Sequence, residues 1–467
     1  MNVVIYVMDA LRADRLGCYG FGKPTSPNLD TFALDAVKYT NAYSVATWTK
    51  PNAAALLTGR HPRALGTMHH MDAIPTVEDN LPSLLSGAGF ETVGISANMF
   101  VSPEFGFEGF DRFHTLQEDP AVQQRRRRVK EDFAQRFLES RELDELVVPH
   151  SEDLNERAFE VLSADRDRDT LALLWSIDTH GPYYVRDGEA RIDGDPTAFY
   201  PESEVDESNL DAVRAIYEEM VRYNDEQFGA LVEHLRSEGL YEESLVVVLA
   251  DHGESLGDRR TVTGRPVVGH NYLVHEELVH VPLLIKYPDG KYAGCVDDRL
   301  AQVLDVLPTV GDVLGSADGD DDTDLAERSE RVAHGRSIVP ERDADPDRSV
   351  LVESQPKPTS LYSAAVRRGR FKLLSIERDL QIGRDWKAMV VSILQNLLVE
   401  GDRLFDLNRD PDERDDIAES YPETAAELQR LLVETIETYD EQGAGIETDR
   451  ADIDDATKRR LENLGYQ

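Results

Sequence analysis

The stretch "LADHGES" (Leu249–Ser255) places a carboxylate, Asp251, beside an imidazole, His252, at the end of an apolar, β-branched run. Both are ordinary ligands of a divalent metal ion. Two other runs of the same kind, "VVIYVMD" and "TLALLWSID", end on Asp9 and Asp178. In open α/β sheets ligands collect beyond the carboxyl ends of the strands, so acids at equivalent ends of separate strands are candidates for one site. The stretch "SVATWTKPNAAALLTGRHP" (Ser44–Pro62) adds a hydroxyl. Pro51 suits a first helical turn, where its missing N–H costs nothing. Thr49 then stands at the amino end of that helix, where free N–H groups and the helix dipole favour an anion. A threonine there is either a plain N-cap or, touching a divalent ion, a hydroxyl acidified enough to attack phosphorus or sulfur. Asp9, Thr49, Asp251 and His252 together offer four oxygen or nitrogen donors to one ion.

These side chains need a sheet to bring them together, and the chain is patterned for one. "VVIYVMD", "ETVGISAN", "TLALLWSID", "SLVVVLAD" and "VPLLIKYP" read as buried strands. Helical patterns alternate with them at "SPNLDTFALDAV", "NLPSLLSGAG" and "AVRAIYEEMVRYNDEQFGALVEHLRSEG". The alternation predicts an α/β fold, a large mostly parallel sheet with helices on both faces. The acidic, Gly/Asp-rich segment "GSADGDDDTDLAERSE" (Gly315–Glu330) reads as a loop or linker. Beyond it come the shorter strand patterns "SVLVES", "SAAVRRGRFKLLSI" and "RLFDL" and a helix pattern, "PETAAELQRLLVETIETY". The expected division is therefore a catalytic α/β domain over residues 1–332 and a smaller C-terminal α+β subdomain over 333–467.

Composition narrows the setting. Formal net charge is −40, with 90 acidic against 50 basic side chains, and lysine is scarce beside arginine. Such a surface suits a halophilic protein, because concentrated salt screens its self-repulsion. Nothing offsets phosphate charge, so nucleic acid is not an expected partner. The basic cluster "RRRRVK" (Arg125–Lys130) lies among acids in a predicted helix and reads as charge compensation. Cys18 and Cys295 make no disulfide framework. The longest apolar stretch, "AMVVSILQNLLV" (Ala388–Val399), is too short for a membrane span. Met1 leads directly into the first strand pattern, which is too short for a signal peptide, and the expected compartment is the cytoplasm.

The motifs, in their order, resemble the sulfatase branch of the alkaline phosphatase superfamily. The similarity begins at "YVMDALRADRLGCYGFGKPTSPNLDTFALDAVKYTNAYS" and runs through "TWTKPNAAALLTGRHP", "SIDTHGPYY", "LADHGESLGD" and "GHNYLVHEELVHVPLLI". It ends with "HGRSIVP" and "AAVRRGRFKLL…RLFDLNRDPDERDDIAE", leaving residues 117–165 and 380–400 unmatched. The resemblance implies that Asp9, Asp251 and His252 bind metal and that Thr49 holds the nucleophile position. It implies that His180, in "THGPY", holds or protonates the ester group. His270 falls near the leaving group or a second metal, with Asn271 the competing assignment; a second ion would need His180, His270 and Asp178 to converge. His280 reads as structural, and His275, His69 and His70 have no assigned role.

Three departures from the family pattern matter. Threonine cannot be oxidised to the formylglycine that sulfatases make from cysteine or serine at this position. Ala10 replaces a second aspartate, and Ala53 stands where the nucleophile signature ends in arginine, leaving Lys50 either to supply that charge or to point to solvent. Threonine nucleophiles occur in relatives that cleave or transfer phosphate esters. The implied activity is thus a metal-dependent hydrolase of sulfuric or phosphoric esters, on a small-molecule or glycan substrate. The alternatives are a phospho-headgroup transferase and a non-catalytic metal- or anion-binding relative. Hard oxygen ligands suit calcium or magnesium, and the histidines lean towards manganese or zinc.

Overall fold

The structure, a computed structural model, describes residues 1–446 apart from 69–71, 78, 125–148, 165, 187, 196, 262–263, 271–272, 318–322, 355–360 and 379–400. The expectations for Arg125–Lys130, Ala388–Val399, His69, His70 and Asn271 lie outside the described residues. In chain order the strands before residue 303 are β1 (Val3–Met8), β2 (Val37–Tyr43), β3 (Glu91–Ser96), β4 (Arg112–Thr115), β5 (Thr170–Ser176), β6 (Tyr183–Tyr184), β7 (Phe199–Tyr200), β8 (Leu245–Leu249), β9 (Ser255–Arg260), β10 (Pro266–Gly269), β11 (Leu283–Lys286) and β12 (Val296–Gln302). Eight of them form one sheet in the order β12-β2-β11-β8-β1-β5-β3-β4. Its pairs are parallel except those that β11 makes with β2 and β8.

The centre of the sheet explains why the site forms where it does. Every residue of β1, β5 and β8 is buried, as apolar strands covered on both faces must be. β1 is in register with both neighbours, Val3 opposite Leu171 on one side and Leu245 on the other. Because the three strands are parallel and aligned, their carboxyl ends meet at one edge, and Asp9, Asp178 and Asp251 arrive there together. The helix Thr49–Thr58 packs on Leu81–Gly87 and on Val306–Ala317, and the helix Leu210–Ser237 packs on Pro27–Phe32 and on Ser151–Val161. The last helix buries Val213, Ile216, Tyr217, Met220, Phe228, Leu231 and Leu235, the i, i+3, i+4 stripe of a helix lying on a core.

Two local expectations are corrected. The helix expected over "SPNLDTFALDAV" stops at Phe32, and Val37 begins β2, where pairing with β11 and β12 outweighs local propensity. Gly315–Glu330 is not simply a linker, since helices run to Ala317 and resume over Thr323–Val332. The second of these helices packs on the first where Gly311 admits Ser329, whose Oγ would stand 2.1 Å from any Cβ there.

The C-terminal part is an antiparallel sheet of β13 (Ser349–Ser354), β14 (Leu361–Arg368), β15 (Phe371–Arg378) and β16 (Gly401–Asp406), in chain order. The run "SAAVRRGRFKLLSI" is a hairpin whose turn contains Gly369 at φ +56°, a conformation glycine takes at little cost. One face packs Leu351, Val366, Leu373 and Leu404 against Leu428 and Leu432 of the helix Pro422–Gly443. The other packs Val352 and Leu374 against Tyr43, Val274 and Leu300 of the larger domain. Ile338 and Val339 still belong to the large core.

Candidate active site

After β1 the chain turns sharply through Ala10, which is buried and has φ +58°. That conformation is uncommon for a residue with a Cβ, and three neighbours hold it. The Tyr217 hydroxyl donates to the Ala10 carbonyl at 2.7 Å, the Ala10 N–H donates to Asp251 Oδ1 at 3.2 Å, and the Thr179 hydroxyl donates to the Asp9 carbonyl at 2.5 Å. The residue at the missing-aspartate position therefore serves through its backbone. Gly253 has a comparable reason to be small: a Cβ there would stand 2.1 Å from the Glu277 carbonyl oxygen.

Asp9, Asp251 and His252 are all buried. His252 Nδ1 lies 2.8 Å from the Gly253 carbonyl and so carries the proton, leaving the Nε2 lone pair facing 3.4 Å to Asp251 Oδ2 and 3.6 Å to Asp9 Oδ1. Asp9 Oδ1, Asp251 Oδ2 and His252 Nε2 have no hydrogen-bond partner among the described residues. One ligand atom from each residue lies within 4.8 Å of the others. Buried polar atoms are seldom left unpaired, and a converging set of two oxygens and one imidazole nitrogen fits a divalent cation. The electrostatics agree. Burial, with the Asp9 charge second, holds the Asp251 carboxyl well above its ordinary range, and burial keeps the His252 imidazole neutral.

Thr49 is the first residue of the helix Thr49–Thr58, and its N-cap is Trp48 in extended conformation. The plain N-cap reading of Thr49 therefore does not describe the fold. Asn52 holds the preceding loop, its amide accepting from the Val45 and Ala46 N–H groups and donating to the Ala46 and Trp48 carbonyls. The Thr49 hydroxyl donates to Asp9 Oδ2 at 3.3 Å. Lys50 does not point to solvent: it is fully buried, with Nζ on the Asp72 carbonyl and over the Trp48 ring, and burial pushes its pKa down to about 7. Ala53 is packed in the core.

Residues that the sequence reading passed over complete this centre. Asn98, just past the end of β3, donates to Asp9 Oδ2 at 2.6 Å and to Thr49 Oγ1 at 3.3 Å. Its own Oδ1 accepts from the Phe100 N–H, which fixes the amide orientation. Trp175 Nε1 donates to the same Asp9 oxygen at 3.1 Å. The signal for Asn98 was its place: β3 is parallel to β5, so its end falls on the same edge as Asp9.

The histidines lie alongside. The His270 ring is 4.4 Å from His252 and 4.7 Å from His180. His180 Nδ1 lies 2.7 Å from the Gly181 carbonyl. Burial alone would lower its pKa, but Asp9, Glu254 and Glu202 outweigh that and raise it. His270 is held well below its ordinary value by burial and by the other two histidines. Asp178 does not converge with them. Its Oδ2 accepts from the Ser151 N–H at 2.9 Å and from the Ser151 hydroxyl, and Arg186 stands 3.9 Å from Oδ1. Glu202 and Glu254 meet His270 instead. His275 is bound to Glu413 at 2.7 Å and His280 to the Thr40 carbonyl at 2.8 Å, both away from the cluster.

Comparison with known proteins agrees with this architecture. The sulfatase family profile matches residues 1–316. The chain is 25% identical over 380 residues to an ulvan-active sulfatase of Formosa agariphila, covering 75% of this chain and 67% of that protein. It is 21% identical over 386 residues to an N-acetylglucosamine-6-O-sulfatase of Bacteroides thetaiotaomicron, covering 67% of this chain and 68% of that one. It thus spans about two thirds of the length of these relatives. Among solved structures, a phosphonate monoester hydrolase of Agrobacterium radiobacter superposes with a TM-score of 0.65 at 17% identity, covering 95% of this chain and 96% of that one. A 2-O GAG sulfatase superposes with a TM-score of 0.66 at 18% identity, covering 96% and 94%.

Proposed function

Because the chain belongs to the sulfatase family of ester hydrolases, we propose that it cleaves phosphoric esters with Thr49 as nucleophile, in a centre where Asp9, Asp251 and His252 hold a divalent cation. The observation that carries this reading is the buried Thr49 hydroxyl, which shares Asp9 Oδ2 and the Asn98 amide at the edge where those ligands converge. Threonine has no route to formylglycine, whereas its hydroxyl can attack phosphorus directly. Two of the solved structures that share the fold are phosphonate monoester hydrolases, so the fold is compatible with chemistry at phosphorus.

When bound, the ion would supply a Lewis acid that draws charge from the ester oxygens and acidifies a hydroxyl beside it. Thr49 Oγ forms the bond to phosphorus as the bond to the leaving oxygen breaks. The Thr49 proton leaves along its hydrogen bond to Asp9 Oδ2. His180, whose Nδ1 is committed to the Gly181 carbonyl, gives the leaving alkoxide a proton from Nε2. Neutral His180 then takes a proton from water, whose oxygen displaces phosphate from Thr49, and the Asp9 proton returns to the threonine. The amide groups of the first helical turn lack intrahelical acceptors and favour the anion held there.

The metal best suited to two carboxylate oxygens and one imidazole is manganese or zinc. The N-acetylglucosamine in the name of one relative makes a glycan ester a reasonable substrate class. The test is hydrolysis of matched aryl phosphate, aryl phosphodiester and aryl sulfate in molar salt with added manganese. Phosphoester turnover should fall at least 1000-fold, on the order of the loss of an essential nucleophile, in Thr49→Ala. Undiminished turnover in that variant, or turnover of the sulfate alone, would overturn the assignment.

A further inference from the structure

Beside the first cluster lies a second one that the proposed chemistry does not use. Glu202, Glu254 and His270 each bring a ligand atom within 4.8 Å of the others, and Glu254 Oε1 lies 3.5 Å from His270 Nδ1. Glu254 and His270 are buried, and both Glu254 carboxylate oxygens and both His270 ring nitrogens lack a hydrogen-bond partner among the described residues. Four orphaned polar atoms in so small a volume is far outside what a folded core normally tolerates.

The neighbouring arginine, Arg12, does not answer them. Arg12 reaches the Glu254 backbone carbonyl at 3.0 Å, not its carboxylate, and spends its charge on Asp14 and Asp258 at 2.7 and 2.6 Å. The third ligand is placed by two glycines. Although Glu202 is exposed as a residue, its carboxylate enters a cradle in which a Cβ on Gly181 would stand 2.6 Å from Oε1 and one on Gly269 2.5 Å from Oε2. The chain is built to admit that carboxylate next to Glu254, in spite of like charge.

From this geometry we infer that Glu202, Glu254 and His270 form a second divalent-cation site, distinct in its ligands from Asp9, Asp251 and His252. Two carboxylate oxygens and one imidazole nitrogen are a set suited to manganese or zinc. An ion there offsets the charge of both glutamates and accepts the lone pair that neutral His270 presents. The 4.4 Å contact between the His252 and His270 rings makes the two ligand sets neighbours, so an ion held by the second set would add Lewis-acid charge beside the ester bound at the first. The inference rests on the reading of the first centre for its purpose but not for its ligands, and the two can fail separately.

The experiment is a manganese count by equilibrium dialysis and elemental analysis, with electron paramagnetic resonance on the same samples. It uses the full chain stripped with chelator and reloaded with manganese alone. Wild type should hold two ions per chain and show a spin-coupled spectrum. Glu254→Gln, which keeps the side-chain shape, should hold one, with the six-line signal of an isolated ion, and so should Asp251→Asn. Glu202→Gln, at a residue open to solvent, repeats the test where misfolding is not a concern, and thermal unfolding confirms that each variant is folded. One ion in wild type, kept in Glu254→Gln and Glu202→Gln but lost in Asp251→Asn, overturns the second site and leaves the first intact. Two ions kept in the combined Glu202→Gln, Glu254→Gln variant also overturn it. One ion kept in Asp251→Asn but lost in Glu254→Gln supports the second site and removes the first.

Discussion

Asp251→Asn should have opposite effects on the metal-free and the metal-loaded protein. Asp251 Oδ1 accepts from the Ala10 and His252 N–H groups at 3.2 and 2.8 Å, and an asparagine oxygen can keep both. The atom changed is Oδ2, which has no hydrogen-bond partner among the described residues and faces His252 and the Asp9 carboxylate. With ligand atoms within 4.8 Å, two carboxylate charges at an effective dielectric constant of about 20 repel by about 3 kcal/mol. Proton uptake by Asp251 sets a ceiling on that cost. In chelator, the variant should therefore be at least as stable as wild type and up to about 3 kcal/mol more stable. For a chain of 467 residues the unfolding entropy is about 1 kcal/mol per kelvin, so the gain in Tm is at most about 3 °C. Manganese at a hundred times its Kd should stabilise wild type by about 2.7 kcal/mol per ion, and the variant by no more than half the wild-type total. Differential scanning fluorimetry with and without chelator measures both differences. If Asp251→Asn destabilises the chelated protein by several kilocalories, the Asp251 carboxylate is a structural hydrogen-bonding group and the repulsive-ligand argument fails.

Other outcomes follow from the same structure. Asn98→Ala removes a buried hydrogen bond to a carboxylate at 2.6 Å, worth about 1.5–3 kcal/mol, so kcat/KM in the aryl ester assay should fall by roughly 10- to 100-fold; an unchanged value would remove Asn98 from the site. His61 and His334 stack on Tyr439 at 4.6 and 4.9 Å, and burial pushes both down to about 4. Unfolded histidines titrate near 6.5, so the unfolded chain binds more protons between those values and stability must fall as pH drops from 6.5 towards 4. His334→Gln should flatten that slope in urea titrations, and an unaltered slope would show that another group sets it. With a net charge of −40, Tm should rise between 0.1 and about 2 M potassium chloride as screening shortens the Debye length; a flat or falling Tm would argue against adaptation to salt.

The sheet was legible because it is built from local signals. "VVIYVMD", "TLALLWSID" and "SLVVVLAD" are apolar over most of their length, as strands buried on both faces require, and each stops on an acid. Parallel pairing alone then carries Asp9 and Asp251 to one edge, and His252 comes with Asp251 along the chain. Thr49 was placed at its helix start by local chemistry as well, although the cap proved to be Trp48. In the large sheet the pattern missed β2, β4 and β12, strands rich in polar residues and only partly buried, whose conformation is decided by their partners and not by their own composition.

The individual donors and acceptors were set only in three dimensions. Asn98 and Trp175 lie 89 and 166 residues from Asp9, and no spacing rule links residues joined solely by strand order. Asp178 stands at the edge the sequence assigned to it, yet the Ser151 N–H and hydroxyl claim its carboxylate and take it out of the cluster. Glu202 enters through a gap left by two glycines from different segments. Strand identity and the polar residue at a strand end are properties of a few consecutive residues, so the sequence by itself determined them. Which carboxylate is paired and which is left facing a cation depends on neighbours far along the chain, and tertiary packing alone decided that.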